Sequence, residues 1–251
     1  MMPRLTPDHR SRRPGLAAVA AVFALLGAAP AARATPPKGA EVLALAAKGQ
    51  PPARWVRANL VERAPAGVTG GGSLALRLAF SPAGVIRLDV ERLGAVRTVD
   101  TTVWGGSAPG ARPLAEAPAW LQLLAGRPVA DVARDKHVDT KITSFAHAGP
   151  AVLWVLGAGP RDDSPQIAVD RATGRLVRVT ERSGGDDGPA AGHAVTVELG
   201  WPAAAPESPF PERVTIAQDG ARPVVLGLSF VSVGDPLDAD LFAPLGASPS
   251  P

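Results

Sequence analysis

Between Ser73 and Val103 large apolar side chains recur at every second position, a pattern that few folds accept. Leu74, Leu76, Leu78 and Phe80 share one face of an extended chain, and after the turn Ser81-Pro82-Ala83-Gly84 so do Ile86, Leu88 and Val90. Arg87, Asp89 and Glu91 alternate with the latter set. Segments that are apolar on one side and charged on the other build an antiparallel sheet with one side packed and one wet. Ala95 to Trp104 extends this meander as a third strand.

A second group of strands lies between Pro150 and Arg182. Ala151 to Ala158 is a short apolar run bounded by Gly and Pro, Gln166 to Val169 alternates, and Leu176 to Thr180 repeats the pattern. The turn Asp170-Arg171-Ala172-Thr173-Gly174 starts with a residue that hydrogen-bonds its own backbone and ends with one that tolerates positive φ. Strands are also expected at Arg54 to Arg63, Val138 to Ala146, His193 to Gly200, Arg213 to Ala217 and Val224 to Val233. The last two flank the tight-turn pair Asp219-Gly220. Helical spacing is confined to short pieces. Ala40 to Lys48 places Val42, Leu43, Leu45 and Ala46 on one side and stops at Gly49, and Ala119 to Ala125 gathers Trp120, Leu121, Leu123 and Leu124. Asp235-Pro236 reads as a cap and first helical position. The sum is nine to eleven strands with two or three short helices, a mainly β (α+β) chain without repeats.

The first residues follow other rules. Arg4, Arg10, Arg12 and Arg13 precede an apolar run from Gly15 to Pro30, and Ala32-Arg33-Ala34 has the small-x-small pattern of a signal-peptidase site. Residues 1–34 are therefore expected to be a signal peptide cleaved near Ala34, leaving residues 35–251 as one exported domain. Ser11-Arg12-Arg13 with Leu16 points to twin-arginine export, whereas Gly15 in place of a large apolar residue points to the general route, and both stay open. Of 26 basic and 23 acidic side chains the leader holds five Arg and one Asp, so the mature part carries 21 and 22. That near balance removes the electrostatic case for nucleic acid. No later stretch reaches the roughly 20 apolar residues of a membrane span. With no cysteine, disulfides, thiolate metal sites, a thiol nucleophile and lipid attachment at an N-terminal Cys are excluded.

Motifs for chemistry are absent. Asp100-Thr101-Thr102 lacks the glycine of an aspartic-protease loop, Gly157-Ala158-Gly159 lacks the third glycine of a dinucleotide fingerprint, and no Gly-x-Ser-x-Gly elbow exists. His137, Asp139 and His147 could meet across a hairpin, but they form no tight ligand motif. Asp186-Asp187 and the group Asp235, Asp238 and Asp240 miss the spacing of a calcium loop. A non-enzymatic protein without metal or cofactor is expected.

The order of elements resembles the periplasmic lipoprotein carrier superfamily, the LolA-like and RseB-like group of outer-membrane lipoprotein-sorting proteins. The resemblance rests on the export signal and first helix, the Leu74 to Val90 meander, PQIAVDRATGRLVRV at 165–179, FPERVTI at 210–216 and PLDADLFAP at 236–244. Gln166, Asp170 and Arg178 stand where members of the group tend to carry Gln, Asp and Arg. The resemblance implies an incomplete antiparallel β-barrel, a half-barrel whose concave apolar face is covered by short helices and holds the acyl chains of a lipid or lipoprotein. On that reading Leu74, Leu76, Leu78, Phe80, Ile86, Leu88 and Val90 line the cavity, and Trp120, Leu121 and Leu124 cover it. It also implies a functional arginine on an early strand, for which Arg54, Arg57 and Arg63 are the candidates. The implied partners are donor or acceptor proteins of the inner or outer membrane. The alternative is an RseB-like envelope sensor or scaffold that uses the same fold to bind a membrane protein.

Overall fold

The computed structural model describes residues 35–63, 73–94, 96–157, 159, 164–182, 193–205 and 207–243. The expected leader over residues 1–34, the glycine run at 70–72 and the Asp186-Asp187 loop lie outside the described residues.

Eleven strands form one antiparallel sheet in the order β4-β3-β2-β1-β11-β10-β9-β8-β7-β6-β5. They are β1 (Val56–Glu62), β2 (Ser73–Phe80), β3 (Ile86–Leu93), β4 (Arg97–Trp104), β5 (Thr143–Ala148) and β6 (Ala151–Gly157). β7 (Gln166–Asp170), β8 (Leu176–Arg182), β9 (Ala194–Gly200), β10 (Arg213–Gln218) and β11 (Val224–Val233) complete the sheet. β4 and β5 are its two edges, so the sheet is an unclosed barrel of the kind expected. Two meanders are joined where β1 pairs with β11, a seam interrupted by a bulge at Asn59/Leu60.

Among the described residues three helices cover the inner face. α1 (Gly39–Gly49) begins where the Lys38 backbone N–H donates to Glu41 Oε2 at 3.0 Å. α2 (Ala119–Leu124) and α3 (Val129–Asp135) each follow a proline, Pro118 and Pro128, whose carbonyl accepts the first helical N–H groups. The core joins Leu60, Leu78, Phe80, Ile86, Val214 and Leu226 of the sheet to Val42, Leu121 and Val132 of the helices. A smaller cluster, Ala146, Leu153, Val155 and Ala168, is buried on the outer face.

Three expectations are corrected. β5 starts at Thr143 rather than Val138, because Val138 closes α3 through its N–H to the Ala133 carbonyl at 2.8 Å. α3 itself was not anticipated. No helix starts at Asp235-Pro236: the Asp235 carboxylate accepts from Ser232 Oγ at 2.8 Å, and only a 3₁₀ turn at Ala239–Phe242 follows. That turn is docked through Phe242 on Trp55, with ring centroids 5.9 Å apart.

Candidate functional site

The helices fill only part of the inner face. Beside them lies a groove of about 490 Å³ lined by Leu76 of β2, Leu88 and Val90 of β3, Val195 and Val197 of β9, Ile216 of β10 and Trp120 of α2. β3 and β9 are separated by four strands in the sheet order. In a flat sheet they would stand about 24 Å apart at about 4.8 Å per strand. Side chains from both can line one groove only because the sheet curls, and the curl turns alternating leucines and valines into facing walls.

Four charged residues, Glu116, Lys136, Glu181 and Arg182, also line the groove. Glu181 extends from β8 on the same side as the buried Val179, and its side chain is 13 % exposed. Both its carboxylate oxygens accept from the Ala119 N–H, at 3.1 and 3.2 Å, and Lys136 Nζ approaches Oε2 to 3.3 Å. One carboxylate thus satisfies a first-turn amide of α2, favours the positive end of that helix and ties it to the segment after α3. A second polar set joins the helices. Buried Gln122 donates to the Ala117 carbonyl at 2.6 Å and accepts from Arg127, which pairs with Asp135 at 2.5 Å. The Arg127 guanidinium holds the Asp135 carboxyl below the usual carboxylate range.

Of the residues expected to line or cover a cavity, Leu76, Leu88, Val90 and Trp120 line the groove, and Leu74 is partly buried against the core beside it. Leu78, Phe80, Ile86, Leu121 and Leu124 are packed into the core, none more than 4 % exposed. Beside Leu124 only about 20 Å³ is left, room for a single water at most. Val195, Val197 and Ile216 were not anticipated as wall residues, although the alternation of Val195, Val197 and Leu199 is plain in the sequence. Their face could be read, but not which strands would meet across the curl. Glu181 was missed because a lone carboxylate at a strand end gives no signal.

None of the three arginine candidates reaches the groove. Arg54 precedes β1, and its Nε is buried without a hydrogen-bond partner among the described residues; burial pushes the guanidinium below its ordinary pKa. Arg57 is exposed on β1, and the Arg63 guanidinium lies over Gly227, where a Cβ would stand 2.1 Å from its Nε. His137, Asp139 and His147 form no metal cluster, and no group of three or more candidate ligands exists among the described residues. Among those residues no helix is long and apolar enough to cross a membrane.

No family model matches the chain, and no curated protein does. Solved structures are similar at low identity. The LolA superfamily protein NE2245 from Nitrosomonas europaea matches at 11 % identity and TM-score 0.42, covering 83 % of this chain and 98 % of its own. A domain described as an outer membrane lipoprotein-sorting protein from Vibrio parahaemolyticus matches at 9 % identity and TM-score 0.38, covering 81 % and 97 %. A DUF1329 family protein from Desulfovibrio piger matches at 10 % identity and TM-score 0.38, covering 83 % and 98 %. With TM-scores this low, what the chain binds has to be read from its own side chains.

Proposed function

We propose that this protein is a periplasmic binding or carrier protein that shelters acyl chains of a lipid or lipoprotein in the inner groove and performs no covalent chemistry. The observation that carries the reading is the groove itself: the apolar face is left open where Leu76, Leu88, Val90, Val195, Val197 and Ile216 face one another. Its volume of about 490 Å³ falls within the range of small-molecule sites, roughly 300–1,000 Å³. Each methylene drawn from water into such a groove gains about 0.8 kcal/mol, so a partly sheltered chain is held firmly yet can still leave. The charged residues of the lining, Glu116, Lys136, Glu181 and Arg182, suit the polar end of an amphiphile. Residues 1–34 would serve as the export signal that delivers the domain to that compartment.

Titration with a fluorescent fatty acid tests the reading. Saturable binding is expected, and Leu88→Glu, which places a charge in the wall, should weaken it by at least about tenfold while the melting temperature stays near that of the parent. A protein that ignores fatty acids, or whose Leu88→Glu variant binds them as before, would discard the carrier reading in favour of a sensor or scaffold that grips an envelope protein.

A further inference from the structure

The outer face of the same strands carries a second cavity, of about 690 Å³. In the pairing register Arg178 stands opposite Glu198, and Glu198 opposite Thr215. This row is one residue out of step with Val179, Val197 and Ile216, so cavity and groove lie on opposite sides of β8 to β10. Ala151, Leu153 and Val177 contribute apolar surface to the cavity, and Arg175, Arg178 and Arg213 contribute charge.

These three arginines differ from six others among the described residues. Arg77, Arg87, Arg92, Arg97, Arg127 and Arg134 each have a carboxylate oxygen between 2.5 and 2.9 Å away. Arg175, Arg178 and Arg213 have none within 4.0 Å among the described residues, yet neutral neighbours hold Arg175 and Arg178 in place. The Arg175 guanidinium lies over the Trp201 ring, 4.7 Å from its centroid, and donates to the Ser208 carbonyl at 3.2 Å. Arg178 Nη2 donates to Oε1 of the buried Gln166 at 3.3 Å. Arg213 rests against Gly200, where a Cβ would stand 3.2 Å from its Nε. Side chains ordered in this way without being neutralised have already met much of the entropy cost of gripping an anion.

Two carboxylates and one imidazole face the same space. Asp170 is engaged in its turn, with Oδ1 accepting from the Ala172 and Thr173 N–H groups at 2.9 and 2.8 Å and from Thr173 Oγ at 3.0 Å. Glu198 is exposed and has no ion pair among the described residues, and His147 stands at the β5 edge. Three guanidinium groups against two carboxylates leave the cavity electropositive.

We propose that this outer cavity binds a phosphate ester, its oxygens taking the guanidinium forks of Arg175, Arg178 and Arg213 and its carbon substituent resting on Ala151, Leu153 and Val177. Planar forks suit phosphate oxygens, and several of them around one group favour a phosphate over a single carboxylate. The site lies apart from the inner groove and stands whether or not the groove carries lipid. The ester could be a soluble one or a phospholipid headgroup.

Calorimetric titration of the purified protein with glycerol 3-phosphate, and separately with dihexanoylphosphatidylglycerol below its micelle concentration, tests the site and its source, with glycerol as the uncharged control. Saturable binding of a phosphate ester and none of glycerol is expected. Arg213→Gln, at an exposed position, should weaken it about tenfold, and Glu198→Gln should tighten it a few-fold. Tighter binding of the lipid than of glycerol 3-phosphate, sensitive to Arg213→Gln, assigns a membrane headgroup, and the reverse order assigns a soluble ester. The proposal is overturned if neither ester binds saturably below about 10 mM, or if Arg213→Gln binds both as the parent does while melting at the same temperature.

Discussion

Gly174 shows how much a single missing methyl group decides. It has φ +73°, and a Cβ there would stand 2.2 Å from the Leu45 carbonyl oxygen; a Cβ on Gly49 would likewise stand 2.2 Å from the Gly174 carbonyl carbon. The end of α1 therefore rests on the β7–β8 turn through two bare backbones. Gly174→Ala should cost both the left-handed backbone and the clash, about 2 kcal/mol or more in urea unfolding. Gly220→Ala has the same φ with nothing within 4 Å, and should cost about 1 kcal/mol. Equal losses at the two sites would show that the contact with α1 contributes nothing. The turn itself was legible from Asp170 and Gly174, and Asp170 makes the backbone bonds its type predicts. What leans on that turn was not, because a contact between Leu45 and Gly174 leaves no local pattern in the chain.

At the scale of elements, α2 is six residues long and could not persist as an isolated helix. Packing buries all six of its residues, Trp120, Leu121 and Leu124 among them, and polar ties hold its ends: Glu181 at Ala119, and Gln50 Nε2 on the Leu123 carbonyl at 3.0 Å. Glu181→Ala would strand the Ala119 N–H and leave Lys136 without its carboxylate. Amides of α2 should then exchange with deuterium about tenfold faster while those of β1 and β2 keep their rates, since only local opening is made easier. Uniform acceleration across the sheet would mean that Glu181 supports the whole fold and not this helix alone. α2 was visible in the sequence as an apolar patch after a Pro-rich stretch. α3 was not, although Val129, Val132 and Ala133 have helical spacing, because one turn and a half after Pro128 is too short for periodicity to stand out. Asp235-Pro236 misled for the opposite reason, since a good capping pair precedes no run long enough to be a helix.

For the whole molecule, period-2 alternation was enough to give a mostly β, antiparallel architecture with one packed and one charged face, and the resemblance implied that the sheet stays open. It could not give the strand order. Alternation says which side of a strand is buried but nothing about its neighbours, and the division of the inner face into sealed core and open groove depends on those neighbours. The decisive neighbours are β1 and β11. Ser229 Oγ donates to the Asn59 carbonyl at 3.1 Å across 170 residues of sequence, and the inward Val56, Ala58 and Leu60 lie beside β11. A chain ending at Pro223 would lose β11 and with it the pairings to β1 and β10, leaving this seam open while the other strand pairings remain. It should show no single cooperative unfolding transition in urea, whereas a sharp one would mean that the two meanders stand independently.

A ribosome delivers β1 early and β11 nearly last. Through most of its synthesis the chain therefore holds strands that cannot yet find their partner, and loop closure over such a span is slow compared with the pairing of adjacent hairpins. The two meanders stay unjoined until β11 has been made, whatever hairpins have already formed. The sheet becomes continuous only when that strand arrives to join the first.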